Sequence, residues 1–238
     1  MRTIKKGAEP AALRQWKKAN KAAPQNLAYS NLPQAERASV AEALLREQGW
    51  LCAYTLLRLD TVDACHIEHV EPQGMAPGKD LDYANMAACF PRNGGDVTHG
   101  YGAPVKGGAA ITLNVDFVSP HTKGCEARFL FDAQGRVHAP LNDVAAQKTI
   151  ERLQLSHPSL EELRKQAMKA YGLTLDTRGL RSKPSKRLTA AQARQLASQL
   201  QKPEPQTLRL EPFCVALAQV ATAYARRETE RSRRLRGK

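Results

Sequence analysis

The spacing of apolar positions changes several times along this chain. Residues 1–31 show no sustained apolar period. Gly7, Pro10 and Pro24 interrupt a run rich in Lys and Arg, so this stretch reads as a basic, turn-rich arm. From Gln34 to Gln48, Val40, Leu44 and Leu45 recur at helical spacing. Pro33 presets a first turn and Gly49 supplies a stop, so the pattern predicts a helix. Residues 50–71 alternate weakly and hold β-like stretches, and Gly74 to Gly78 reads as a loop. Residues 84–90 predict a short helix carrying Asn85.

Six glycines between 94 and 108 predict an irregular loop. It is no phosphate-binding P-loop, because the Gly-Lys-Ser/Thr ending is missing. Phe129–Phe131 and Arg136–His138 flank the turn Asp132-Ala133-Gln134-Gly135, the pattern of a β-hairpin. From Asn142 onward the period becomes helical, with Val144, Ile150 and Leu153 on one stripe. Ser159-Leu160-Glu161-Glu162 and Thr189-Ala190-Ala191-Gln192 have the form of capping boxes. Lys183 to Arg187 is a polar break. Glu211-Pro212 opens a long final helix, with Phe213, Ala216, Leu217, Val220 and Tyr224 apolar ahead of a basic end. The elements predict an α+β protein, mainly helical, in three regions. Residues 1–49 are a basic arm and helix, 50–140 a β-containing core, and 141–238 a helical region with a basic tail.

Composition adds a polarity to this outline. The 238 residues carry a formal net charge of +13, and the cations collect at the ends. Residues 1–21 hold seven Lys and Arg against Glu9 alone, and residues 226–238 hold seven against Glu228 and Glu230. Such a balance favours phosphate contact or an acidic docking partner. No apolar run approaches the ~20 residues of a membrane span. No apolar stretch follows the basic start, so no secretory signal is expected. Five cysteines form no dense framework, which together with the missing signal predicts a cytoplasmic protein.

The candidate chemistry lies in His66-Ile67-Glu68-His69-Val70-Glu71-Pro72-Gln73, with Asn85 further on. A carboxylate suits a hard divalent cation, and a neutral imidazole can take a proton from an attacking water. Neighbouring strand positions point to opposite faces. Glu68 and His69 can therefore meet at one site only at a strand end or turn, as Pro72 suggests.

These residues resemble the core of an HNH (ββα-metal) nuclease. Further pieces, in order, are similar to PtuB-type HNH proteins of Septu and retron anti-phage systems. They are Met1–Pro10, Gly49-Trp-Leu-Cys-Ala-Tyr54, Leu81-Asp-Tyr-Ala-Asn85, Cys125-Glu-Ala-Arg-Phe129, Asp132–Val137 and Thr149–Leu155 before His157-Pro158. The resemblance covers residues 1–170. It implies a ββα-metal core within 50–140 and a metal-dependent endonuclease using Mg²⁺ or another divalent cation. His69 would be the general base, Glu68 a metal ligand, and Asn85 the residue that hydrogen-bonds and orients the His. It also implies a PtuA-like ABC-type ATPase partner, and in retron versions a reverse transcriptase with its RNA–DNA product. The nucleic-acid substrate would be DNA or tRNA, and the basic termini are candidates for docking the ATPase.

The sequence departs from that family in two places. The family's zinc knuckle uses two cysteine pairs; here Cys52-Ala-Tyr-Thr55 keeps one thiol, and Gly100 stands where the partner of Cys89 is expected. Two thiols are too few for a tetrahedral zinc. The alternatives are a patched site on Cys52, Cys89 and His99, or plain core thiols; Cys214 reads as core. The last metal ligand of the family follows a Lys-Gly pair, but Lys106-Gly107 is followed by Gly108. Asn93 and His99 are equal candidates to replace it, and water is the third. Lys106 and His66 are candidate phosphate contacts, while His121, His138 and His157 read as loop or hairpin residues. A second expectation, from the lost thiols and Gly108, is a silent scaffold that binds nucleic acid or the ATPase.

Overall fold

A computed structural model describes residues 1–76, 78–173 and 188–236. The fold is mixed α+β. Among the described residues there are two small antiparallel sheets and seven α-helices, in the order α1(Ala11–Ala19), α2(Gln34–Glu47), β1(His66–His69), β2(Met86–Cys89), α3(Ala103–Lys106), β3(Leu130–Phe131), β4(Val137–His138), α4(Val144–Arg152), α5(Pro158–Ala170), α6(Ala190–Gln199) and α7(Cys214–Arg236). The polar break at 183–187 lies outside the described residues.

Helix α2 forms where the period predicts it. Val40, Ala41, Leu44 and Leu45 are buried, and the chain leaves the helix at Gly49 with φ +61°. A Cβ there would lie 2.6 Å from the Leu210 side chain, so both the left-handed backbone and the close approach favour glycine. Just before it, the buried Gln48 side chain donates to Leu51 O (2.7 Å) and Ala88 O (2.8 Å) and accepts from Ala88 N (2.7 Å). One side-chain amide thus caps the outer edge of β2 and ties α2 to the sheet. β1 and β2 pair in the register His66↔Cys89, Ile67↔Ala88, Glu68↔Ala87 and His69↔Met86.

Several expectations need correction. The short helix over 84–90 is a 3₁₀ turn at Tyr83–Asn85, capped by Asp82, followed by strand β2 with all four residues buried. The basic arm contains α1, whose Leu13 is fully buried. The glycine-rich loop holds the single turn α3. Helix α5 is capped by His157, whose ring accepts from Ser159 N, so Ser159 lies inside the helix. The hairpin at 129–138 and the capping box of α6 at Thr189 and Gln192 are both present.

Buried apolar side chains fall into two clusters. The larger takes in Met1, Leu13, α2, the β1–β2 hairpin, Phe117, Phe129 and Leu160. The second packs α6 and α7 with Met168, and it includes Leu51 and Leu56. The segment between those two residues contributes Cys52, Ala53 and Tyr54 to the first cluster, so residues 51–56 form a wall common to both. Arg164 joins the β3–β4 hairpin to the α4–α5 connection. Its buried guanidinium donates to Gly135 O (3.0 Å) and Leu155 O (2.8 Å).

Candidate active site

The β1–β2 hairpin places the candidate residues. His69 is the last residue of β1, 8% exposed, with its ring edge-on to Tyr29 at 4.9 Å. Its Nε2 lies 2.7 Å from the main-chain oxygen of Asp80. A carbonyl oxygen only accepts, so Nε2 carries a proton, and in the neutral ring the lone pair falls on Nδ1. The carboxylate of Asp80 accepts from Tyr29 N (2.9 Å), so one residue holds both the imidazole and the tyrosine beside it.

Asn85 does not orient the His69 ring. Its Oδ1 accepts from Glu71 N (2.8 Å) and its Nδ2 donates to Glu71 O (2.9 Å), while its own carbonyl accepts from Val70 N (2.9 Å). These three bonds fix the backbone just after His69. The amide therefore acts on the imidazole through the main chain.

Glu68 has a different set of partners. Its Oε1 accepts from Lys106 Nζ (2.6 Å) and from the Tyr54 hydroxyl (3.4 Å), and its Oε2 lies 3.6 Å from His66 Nε2. His66 and Glu68 share one strand face because they are two apart. Burial raises the Glu68 carboxyl, but the His66 and Lys106 contacts outweigh it and hold the group below the usual carboxylate range. Burial lowers the His66 imidazole, but Glu68 and Pro91 O outweigh that and raise it. His66 is thus an ion-pair partner of Glu68, with Nδ1 bonded to Pro91 O (2.5 Å).

Among the described residues the side-chain partners of Glu68 are Lys106, Tyr54 and His66, and not the other predicted ligands. Asn93 lies on an exposed turn. His99 packs between Phe90 and Tyr101, at 4.9 Å and 4.5 Å between ring centres, and its Nε2 reaches Tyr101 O (3.1 Å). Among the described residues no three His, Cys, Asp or Glu side chains gather where they could hold a metal ion. With an ammonium at bonding distance from Glu68, the donor set does not fit a divalent cation on Glu68, Asn93 and His99.

The knuckle positions do come together, as a hydrogen-bonded cluster. Cys52 and Cys89 are fully buried and free of disulfide. Burial raises the Cys52 thiol, but bonds from Cys89, Phe90 N and Thr55 prevail and bring it down to about 5. The Thr55 hydroxyl, standing where a thiol is expected, hydrogen-bonds Cys52. Two thiols and a hydroxyl do not fit tetrahedral zinc. Cys214 is buried on the second core, and His138 lies on β4.

Sequence reasoning did not pick out Asp80, Tyr29 or Tyr54. Asp80 holds the imidazole with a main-chain carbonyl, which leaves no trace in residue type. Tyr54 carried a signal only as part of the Gly49–Tyr54 segment. No protein-family model and no curated protein matches this chain.

Proposed function

We propose that the chain is an HNH-type endonuclease that hydrolyses nucleic-acid phosphodiesters, with His69 as general base on a ββα-like hairpin. The observation that carries this reading is the Asp80 carbonyl on His69 Nε2, which leaves Nδ1 as a proton acceptor. In the reaction, Nδ1 takes a proton from water as the water oxygen attacks phosphorus. The P–O bond to the leaving nucleoside breaks, and the departing oxygen takes a proton from solvent. Asn85 positions His69 through Glu71. A net charge of +13 supports a polyanionic substrate, DNA or tRNA. In the same reading the protein works in the cytoplasm as the effector of an anti-phage system with an ABC-type ATPase. The anti-phage role and the ATPase rest on the sequence resemblance alone.

A second reading, a binding scaffold without catalysis, is favoured by the Lys106 ammonium bonded to Glu68. The deciding experiment compares wild type with His69→Ala on end-labelled DNA and on tRNA, alone and with the ATPase, in Mg²⁺ and in Mn²⁺. Loss of a general base should slow cleavage by about 10²–10⁴-fold while the protein still folds, its stability lowered by no more than the lost Asp80 bond costs, about 1–3 kcal/mol. Equal cleavage by the two proteins would remove His69 from the chemistry, and no cleavage by wild type under any condition would favour the scaffold.

A further inference from the structure

Lysine is seldom buried without a partner, because an ammonium loses its hydration on leaving water. Lys106 ends the single turn α3, and its side chain is 1% exposed. Its Nζ donates to Glu68 Oε1 at 2.6 Å and to the main-chain oxygen of His69 at 3.0 Å. One cation thus spans the two residues of the Glu-His pair, touching the side chain of the first and the backbone of the second. On the far side of the carboxylate, His66 Nε2 faces Glu68 Oε2 at 3.6 Å. A Mg²⁺ ion would need to sit about 2.0–2.1 Å from the carboxylate oxygen. Along the Oε1 direction that Lys106 occupies, that position overlaps the ammonium nitrogen at 2.6 Å, and a divalent charge elsewhere on the carboxylate would face Lys106 on one side and His66 on the other.

We propose that the Lys106 ammonium takes the place of a divalent cation beside Glu68. It neutralises the carboxylate and fixes the His69 carbonyl, so that Glu68 binds no metal. Lys106 is too deeply buried to touch substrate and is a positioning residue, acting through Glu68 and the backbone of His69. The assignment rests on the nuclease reading for its consequence, which is hydrolysis that needs no metal on Glu68, but not for its geometry.

Mn²⁺ binding, followed by calorimetry on the full chain, tests the geometry without reference to activity. Wild type should show no stoichiometric site tighter than about 1 mM, and Lys106→Met should gain one at least ~10-fold tighter as the carboxylate is freed. The double variant Lys106→Met with Glu68→Gln should lose it again. A wild-type Mn²⁺ site that disappears in Glu68→Gln overturns the proposal, and that comparison decides alone if Lys106→Met does not fold. Cleavage adds a second arm. Equal rates in Mg²⁺ and in EDTA support the proposal. Cleavage in Mg²⁺ only, together with a wild-type Mn²⁺ site that Glu68→Gln removes, overturns it and leaves the nuclease reading standing. Cleavage in neither removes the nuclease reading, while the Mn²⁺ titration still judges Lys106.

Discussion

Asn85 spends both ends of its amide on one residue fourteen positions upstream, Glu71, and this is where residue type and residue role part company. The sequence marks a polar side chain at the right spacing behind Glu68-His69. It does not say whether that side chain meets the imidazole or the chain that carries it, because the choice depends on backbone geometry across the loop. Asn85→Ala leaves the Glu71 N–H and C=O without their partner, so unfolding stability should fall by about 2–3 kcal/mol, measurable by urea titration. Cleavage should fall with it, since the end of β1 loses its brace. If stability and activity both match wild type, the clamp is idle. Lys106 and His66 show the same limit: both are legible as cations near the motif, but the sequence does not show that each faces Glu68 in the fold. Only folding the Gly-rich stretch into α3 brings Lys106 there.

At the level of elements, what was legible follows from periodicity. Helix α2 carries a clear apolar stripe and a glycine stop, and the β3–β4 hairpin carries its turn residues. Strand β2 carries a helix-like signal because Met86-Ala87-Ala88-Cys89 is apolar on both faces, and a short apolar run does not separate a buried strand from a helix. Gln48 decides it, through an amide forty residues away that pairs with Ala88. Helix α4 supplies a pH test. Asp143 caps it, accepting from Ala146 N (3.0 Å), and is held by the Arg128 guanidinium at 2.8 and 2.5 Å. Arg128 keeps its carboxyl below the ordinary 3.8 despite some desolvation. A depressed carboxyl contributes stability that is complete above the ordinary value and lost as pH falls through the folded one. Asp143→Asn keeps the cap and removes the ion pair, so its stability should decline less than wild type's below that pH. Asp143→Ala also loses the cap, at about 1 kcal/mol. Parallel acid-limb curves for wild type and Asp143→Asn would show that the pair has no pH-linked role.

Over the whole molecule, the charge at the two ends was plain in the sequence, and its arrangement was not. The carboxy-terminal cations lie on the last turns of α7, where Arg227, Arg233 and Arg234 are exposed. If they contact phosphates, replacing all three by Gln should lower the salt slope of nucleic-acid binding by about 2–3 and leave the cleavage step untouched. An unchanged slope assigns that end to a protein partner or to solvent. No hydrophobic pattern foretold that Leu51 and Leu56 would pack on α6 and α7 while Cys52 and Tyr54 between them pack on the sheet. Phe213, just ahead of α7, donates its backbone N–H to Leu56 O (3.2 Å), Ala53 N–H bonds Ala88 O (3.1 Å), and the Tyr54 hydroxyl reaches Glu68. Six residues of one strap thus join the start of the carboxy-terminal helix to the Glu68 carboxylate, so a substitution that loosens Phe213 from Leu56 should be felt at Tyr54.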